Sequence, residues 1–205
     1  MRFKAKGYII NFMEERTLLV VKPDGVVRGL AGEILSRFEK VGLKIVAAKM
    51  IKVQKNLAEK HYPGSRESWL REMGEKTLVN YKKFGADPIK LLGTADTLEI
   101  GKMIQKWLID YIISGPVLGV VLEGPHAVEL VRKICGNTLP ANATPGTIRG
   151  DLAFDSSYLA NTGKRAIKNL VHASGSIEEA EYEIPLWFSS EEILAYERVE
   201  EKVMR

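Results

Sequence analysis

The segment Asn169-Leu170-Val171-His172-Ala173-Ser174-Gly175-Ser176, followed by Ile177-Glu178-Glu179, sets one imidazole between a short apolar run and a helix start. Imidazole changes charge near neutral pH, so a neutral ring nitrogen is available there to attack phosphorus. Ser176 and Glu179 have the Ser-x-x-Glu spacing of a capping box, which predicts a helix beginning just after Ser176. His172 is then expected in the turn entering that helix, near amide donors and the positive end of its dipole, a place that draws phosphate. A lone histidine at a helix start is more often a polar residue with a structural partner, which is the reading given to His61 and His126. A case for chemistry therefore needs phosphate-binding groups from elsewhere in the chain.

Several segments could cradle a polyphosphate. Lys22 directly follows a strand-like run and leads into Pro23-Asp24-Gly25, so its ammonium is expected to project from a sheet edge as a point charge. Arg132 lies on a helix that precedes Asn137-Thr138. Arg149 sits in Pro145-Gly146-Thr147-Ile148-Arg149-Gly150-Asp151, whose glycines would let backbone approach a ligand. Thr138 and Asn169 can add neutral hydrogen bonds. Taken singly, each of these is weak, because a surface Lys or Arg is usually solvated. The chain has no Walker A pattern, no protein-kinase glycine-rich loop, no Cys/His cluster with zinc spacing and no Gly-x-Ser-x-Gly elbow.

The elements that must position these groups follow from periodicity. Thr17 to Lys22 predicts a strand; Ile34, Leu35, Phe38 and Val41 form one helix face, with Gly42 as its stop. Leu43 to Val53 predicts a second strand with Lys44, Lys49 and Lys52 facing solvent. Short helices are expected at Leu57–Tyr62 and Glu67–Met73, then an aperiodic excursion over 74–98, where Gly74, Gly85, Pro88 and Gly93 act as breakers. Leu98 to Ile113 returns to helical spacing, Pro116 to Glu123 is a third, central strand, and Pro125 to Cys135 is a helix. Ile148 to Phe154 is the expected fourth strand, residues 155–165 a second insertion, and Ser189-Ser190-Glu191-Glu192 the opening of a last, charged helix. The order βαββαβ predicts a ferredoxin-like α+β sandwich with added helices and two insertions, near 74–98 and 155–165.

Composition bounds the rest. At 205 residues, 45% hydrophobic and 27% charged, the chain has the profile of one globular domain with a proper core. Its apolar runs are too short to span a bilayer. The N-terminal patch Tyr8 to Phe12 lacks a cleavage site, so no secretory signal is expected, and Met13 offers an alternative start. A single cysteine, Cys135, excludes an internal disulfide and suits a reducing cytoplasm. Residues 1–55 carry twelve Lys/Arg against five Asp/Glu (+7), and residues 173–205 carry three against nine (−6). A basic portion facing a polyanion, whether a nucleotide or a nucleic acid, with an acidic tail on another surface, fits this asymmetry.

From about Thr17 to Tyr196 the chain resembles the nucleoside diphosphate kinase family. The matching segments are Lys22-Pro23-Asp24-Gly25, Lys60-His61-Tyr62, Ser114-Gly115-Pro116, Pro145 to Asp151, Asn169 to Ser174, Glu178-x-Ala180-Glu181-x-Glu183-Ile184 and Leu186-Trp187-Phe188, in the family's order. The resemblance implies transfer of a γ-phosphoryl group from a nucleoside triphosphate to a nucleoside diphosphate through phosphohistidine at His172. It implies phosphate and ribose contacts from Lys22, Tyr62, Arg132, Thr138, Arg149 and Asn169, and orientation of the histidine by Ser174 and Glu183. It further implies Mg²⁺ held through the nucleotide's phosphates, with no protein metal ligand, and a homo-oligomer, tetramer or hexamer; the single cysteine and the short apolar runs point to a cytoplasmic protein with no membrane partner. Residues 1–16 are expected to be an extension before a kinase-like domain over 17–205.

One departure stands out. The family motif usually reads His-x-Ser-Asp-Ser, and this chain has Gly175 at the aspartate position. Chemistry is expected to survive, since a carboxylate there would favour the helix start by only about 1 kcal/mol or less. The family's base-stacking aromatic falls near Trp69 to Arg71. A rival reading, supported by Gly175 and the basic N-terminal portion, is a catalytically silent nucleotide- or nucleic-acid-binding module on the same fold.

Overall fold

The computed structural model describes residues 14–199 and 201–204. The expected extension over residues 1–16 thus lies outside the described residues, apart from Glu14 to Arg16, which already belong to strand β1 (Glu14–Val21). Four strands form one antiparallel sheet: β1, β2 (Lys44–Lys52), β3 (Pro116–Pro125) and β4 (Val171–Ala173), in the order β2-β3-β1-β4. That is the ferredoxin-like arrangement, with β3 central as its apolar run predicts, and β1 central beside it.

Side chains on β1 alternate between two cores. Leu18 and Val20 face one side, with Ala58 from α3 (Lys55–His61), Ile112 from α6 (Thr97–Ile112) and Ile184 and Trp187 from α10 (Ile177–Trp187). Leu19 and Val21 face the other, against Ile34 and Phe38 of α2 (Ala31–Glu39) and Val131 of α7 (Ala127–Cys135). Both faces are covered by helices, which explains why neither strand shows polar alternation. Each large side chain so buried contributes roughly 1.5–3 kcal/mol.

Several expectations are corrected. The fourth strand is β4, not Ile148 to Phe154. That stretch opens as helix α8 (Ile148–Leu152), because the Thr147 hydroxyl caps it by accepting from Gly150 N. The α2 helix ends at Glu39, so Val41 lies beyond it and is half exposed. Lys44 is buried, not solvent-facing, because Glu123 on the neighbouring β3 neutralises it at 2.7 Å. The expected last helix at Ser189 is a single 3-10 turn over Ser190–Glu192. The following chain hydrogen-bonds to β2 through Leu194 N to Val46 O, 2.8 Å. Acidic C-terminal residues therefore meet the basic N-terminal portion directly, with Lys49 Nζ 2.6 Å from Glu192 and Lys44 Nζ 3.2 Å from Glu201. The charge asymmetry is in part internal pairing rather than two opposed surfaces.

The aperiodic excursion is in fact helical. A short helix α1 (Pro23–Val27) follows β1. After α3, helix α4 runs from Glu67 to Lys83, straight through Gly74, and Asp87 caps a short α5 (Pro88–Leu92). Gly74 is no breaker here. A Cβ on it would stand 2.0 Å from Thr97 O, and one on Gly101 of α6 would stand 2.0 Å from Leu70 O. The two helices thus cross backbone against backbone, and only glycine permits that approach. The second insertion forms α9 (Ser157–Thr162), capped by Ser156. Its ends are tied by Asp155, which accepts from Arg165 Nη2 at 3.0 Å and Lys168 N at 2.8 Å. The last described element is α11 (Glu201–Met204). Among the described residues no helix is long and apolar enough to cross a membrane.

Gly101→Ala must push α4 away from α6. The expected outcome is a loss of roughly 1–3 kcal/mol in chemical denaturation, with an exposed control such as Gly32→Ala, which meets nothing within 4 Å, near neutral. Equal stability of Gly101→Ala and wild type would contradict the crossing.

Candidate active site

His172 lies on β4, paired across to Val20, rather than in the turn entering α10. The correction has a local cause. Ser174 N donates to Leu18 O (3.1 Å) and Leu18 N donates to Ser174 Oγ (3.2 Å), which holds this segment on the sheet edge past His172. The α10 start is engaged by its own residues. Ser176 Oγ accepts from Glu179 N at 3.2 Å, as the capping spacing predicts, and Glu179 Oε2 reaches back to Gly175 N at 2.8 Å. A side chain at 175 would begin 2.6 Å from that carboxylate oxygen and 3.3 Å from Arg132 Nη1. Glu179 therefore sets a carboxylate beside Arg132, in the space that an aspartate at 175 would enter.

Behind the imidazole sits Glu183 of α10, buried together with Ser174. Glu183 Oε2 accepts from Ser174 Oγ at 2.7 Å, and Oε1 lies 2.9 Å from His172 Nε2. The His172 contact is short but off-axis, outside the geometry of an aligned hydrogen bond, and Nε2 is shielded from solvent with no other acceptor. Such contacts commonly tighten once substrate is in place. Burial pushes the Glu183 carboxyl up, but the adjoining His172 imidazole, then His61 and the Ser174 hydroxyl, outweigh it and bring the group down to about 2.

His61, read from the sequence as structural, belongs to this cluster. Its ring is 4.3 Å from that of His172, edge-on, and its Nδ1 is 3.6 Å from Glu183 Oε1. Burial, then the neighbouring His172 and Lys22 charges, hold His61 well below the usual histidine range, so it stays neutral. Its Nδ1 accepts from Trp187 Nε1 at 3.4 Å. The signal that could have found it was its place in Lys60-His61-Tyr62; nothing about an isolated histidine distinguishes it.

In front of the imidazole opens a cavity of about 330 Å³. Lys22, Arg149, Asn169, Tyr62, Arg132 and Thr138 all line it with His172. The sequence-selected residues thus converge from five segments. Lys22 Nζ donates to Asn169 Oδ1 (2.8 Å), and Asn169 Nδ2 donates to Thr138 O (2.9 Å). Arg149 sends Nε to Asn169 O (3.1 Å), Nη1 to Gly136 O (2.7 Å) and Nη2 to Val171 O (2.8 Å). Three of its five donors brace the loops, and two are left for a ligand. The motif's glycine serves the same bracing: a Cβ on Gly150 would stand 2.0 Å from Thr144 O, so the close approach is to protein rather than to a ligand.

Burial, then the Arg149 charge, lowers the Lys22 ammonium to about 7 against the pull of Asp24. Burial pushes the Cys135 thiol on the cavity floor up to about 11, which leaves it inert as a nucleophile. Tyr62 stacks on Trp69, with ring centroids 6.4 Å apart and 4° between planes. Trp69 therefore packs on Tyr62 and does not line the cavity, whereas Tyr62 and Trp107 do.

His61, His172 and Glu183 offer ligand atoms within 4.8 Å of one another. Their lone pairs are largely taken, by Trp187 on His61 and by Ser174 on Glu183. Two nitrogens also suit a hard cation such as Mg²⁺ poorly. None of the cavity's lining residues is Asp or Glu, so a hard cation finds no carboxylate there. An anion, by contrast, meets five Lys and Arg side chains among the lining residues, of which Lys22 and Arg149 are buried.

Comparison with known proteins agrees with this arrangement. The family model for nucleoside diphosphate kinase matches residues 15–72 and 98–193. The nucleoside diphosphate kinase of Pyrobaculum aerophilum is 53% identical over 180 residues, covering 88% of this chain and 98% of that protein. The enzyme of Pyrococcus horikoshii is 46% identical over 184 residues, covering 90% and 91%. A crystal structure of an NDP kinase from Pyrobaculum aerophilum superimposes with a TM-score of 0.86 at 50% identity, over 89% of this chain and all of that one. A Borrelia burgdorferi nucleoside diphosphate kinase, solved as a transition-state mimic with bound vanadate and ADP, gives 0.73 at 39% identity, over 93% and 96%. With three quarters of its length inside the family model and relatives at this level of identity, the chain belongs to the nucleoside diphosphate kinase family.

Proposed function

We propose that the protein moves a γ-phosphoryl group from a nucleoside triphosphate to a nucleoside diphosphate by a ping-pong route through His172. The observation that carries this reading is the position of one imidazole between a buried carboxylate and a cationic cleft. A proton on Nε2, facing Glu183, leaves the lone pair on Nδ1. Nδ1 then attacks the γ-phosphorus, the N–P bond forms as the bond to the bridging oxygen breaks, and the nucleoside diphosphate departs with that electron pair. A diphosphate acceptor entering the same cleft reverses the step with its own terminal oxygen.

Phosphoryl transfer passes through a loose transition state, so positioning and charge neutralisation supply most of the acceleration. Lys22, Arg132 and Arg149 bind the phosphates, with Tyr62, Thr138 and Asn169 adding neutral contacts and bracing. Ser174 and Glu183 hold the ring and favour its developing positive charge. Mg²⁺ enters with the nucleotide, held on the phosphates, and supplies further charge neutralisation there. The silent-module reading has less support: a binding site needs neither the Glu183–His172 contact nor Ser174, and part of the basic portion that favoured nucleic acid is paired with the acidic C-terminal segment. Glu179 also supplies a carboxylate next to Gly175. A homo-oligomer, tetramer or hexamer, is the assembly that family membership suggests.

Incubation with radiolabelled nucleoside triphosphate and Mg²⁺ should give an acid-labile, alkali-stable label on the protein. His172→Ala should lose the label and reduce exchange by roughly 10⁴-fold or more; an unlabelled wild type would sink the mechanism. A second prediction concerns pH. A polyphosphate favours the charged form of Lys22, so binding raises that pKa. Affinity is then full below about 7 and falls above it, by up to about tenfold per pH unit. Calorimetric titration should show this slope in wild type and lose it in Lys22→Arg, which stays charged; identical pH profiles would refute the assignment.

A further inference from the structure

The segments Lys60-His61-Tyr62 and Leu186-Trp187-Phe188 meet behind His172, although neither the His61 nor the Trp187 ring lines the cleft. His61 ends α3 and Trp187 ends α10, and both side chains are buried. The Tyr182 hydroxyl ties the two helices by donating to Lys60 O at 2.9 Å.

The neighbours of His61 set where its proton sits. A neutral imidazole carries one N–H and one lone pair, so the partner of one nitrogen decides what the other carries. The indole of Trp187 can only donate, and its Nε1 stands 3.4 Å from His61 Nδ1 in hydrogen-bonding geometry. Nδ1 therefore holds the lone pair and Nε2 the proton. The opposite tautomer would satisfy both nitrogens better were the indole absent. Nδ1 lies 3.6 Å from Glu183 Oε1, whereas Nε2 is shielded from solvent and has no partner among the described residues. A buried N–H without an acceptor is costly, and a hydrogen bond to an ionised carboxylate is strong. The indole N–H is what opposes the proton's move to Nδ1, because two N–H groups would then face each other.

The same carboxylate oxygen matters to His172. Oε1 is 2.9 Å from His172 Nε2, and a proton held there leaves Nδ1 of His172 free to attack. A proton on His61 Nδ1 would offer Oε1 a second donor, and His172 would lose part of the pull that fixes its own tautomer.

We propose that Trp187 and His61 are paired positioning residues: the indole N–H keeps the His61 proton away from Glu183, which leaves that carboxylate to hold His172 in its nucleophilic tautomer. The inference rests on His172 being the nucleophile, as in the function proposed above, but the resting tautomers that test it require no turnover.

Nitrogen-15 NMR of the resting protein near neutral pH should find His61 neutral with its proton on Nε2. In Trp187→Phe, the His61 proton should move to Nδ1 and His172 should become a mixture of tautomers. Single-turnover phosphorylation by a nucleoside triphosphate should slow in proportion, roughly tenfold where one tenth of His172 stays competent, while ADP affinity is unchanged. His61→Leu has no proton to place beside Glu183. Adding Trp187→Phe to it should therefore leave the His172 tautomer and rate where His61→Leu alone puts them. A merely structural indole would instead cause the same loss in both backgrounds. Three results would overturn the proposal: a resting His61 with its proton on Nδ1, an unchanged His172 tautomer in Trp187→Phe, or an equal effect of Trp187→Phe with and without His61. The first is read on the wild type and stands even where a variant fails to fold. The expected tautomers in a protein that takes no phosphoryl label would support the pairing and count against the function proposed above.

Discussion

A buried carboxylate governs the rest of this structure. Glu183 is placed by α10 inside the protein, where an isolated charge would be costly, and it stays ionised only because Ser174 and His172 meet it. Ser174 in turn exchanges hydrogen bonds with Leu18 on the central strand. Sheet edge, helix and imidazole are thereby locked in one unit. That unit assigns the ring's two nitrogens opposite roles, one facing the carboxylate and the other left for substrate. His61 fits the same constraint: its ring lies 4.3 Å from that of His172, and burial keeps it neutral beside Glu183.

The cationic half of the site is held by a second economy of contacts. Arg149 ties Gly136, Asn169 and Val171 through their carbonyls, and Asn169 ties Lys22 to Thr138. Leu170, caught between these anchors, is forced to a φ of 67°, and its amide is met by Asp24 at 3.2 Å. A conformation of that kind persists only where its surroundings over-determine it. The Lys22 and Arg149 charges are thus held in place before any anion arrives, which is what a loose transition state rewards.

Much of this was legible in the sequence because it is local. The apolar runs of β1 and β3, the Ser176 cap of α10 and the glycine after Cys135 each declare themselves within a few residues. The groups that line the cleft were legible as residue types with family-like spacing. Their support was not. A three-residue strand carries too little periodicity to be seen, and β4 exists because Val20, some 150 positions earlier, offers it a partner. Gly74 reads as a breaker until Thr97 is found against it. Lys44 reads as a solvent residue until β3 brings Glu123 alongside. In each case the deciding contact comes from a distant segment, and single-sequence patterns do not register it.

Nitrogen-15 NMR of His172, before and after phosphorylation by a nucleoside triphosphate, tests the central claim most directly. Glu183 facing Nε2 predicts a protonated Nε2 in the resting protein near neutral pH, and phosphorus bonded to Nδ1 in the phosphorylated form. Phosphorus on Nε2, or a resting tautomer with its proton on Nδ1, would contradict the account.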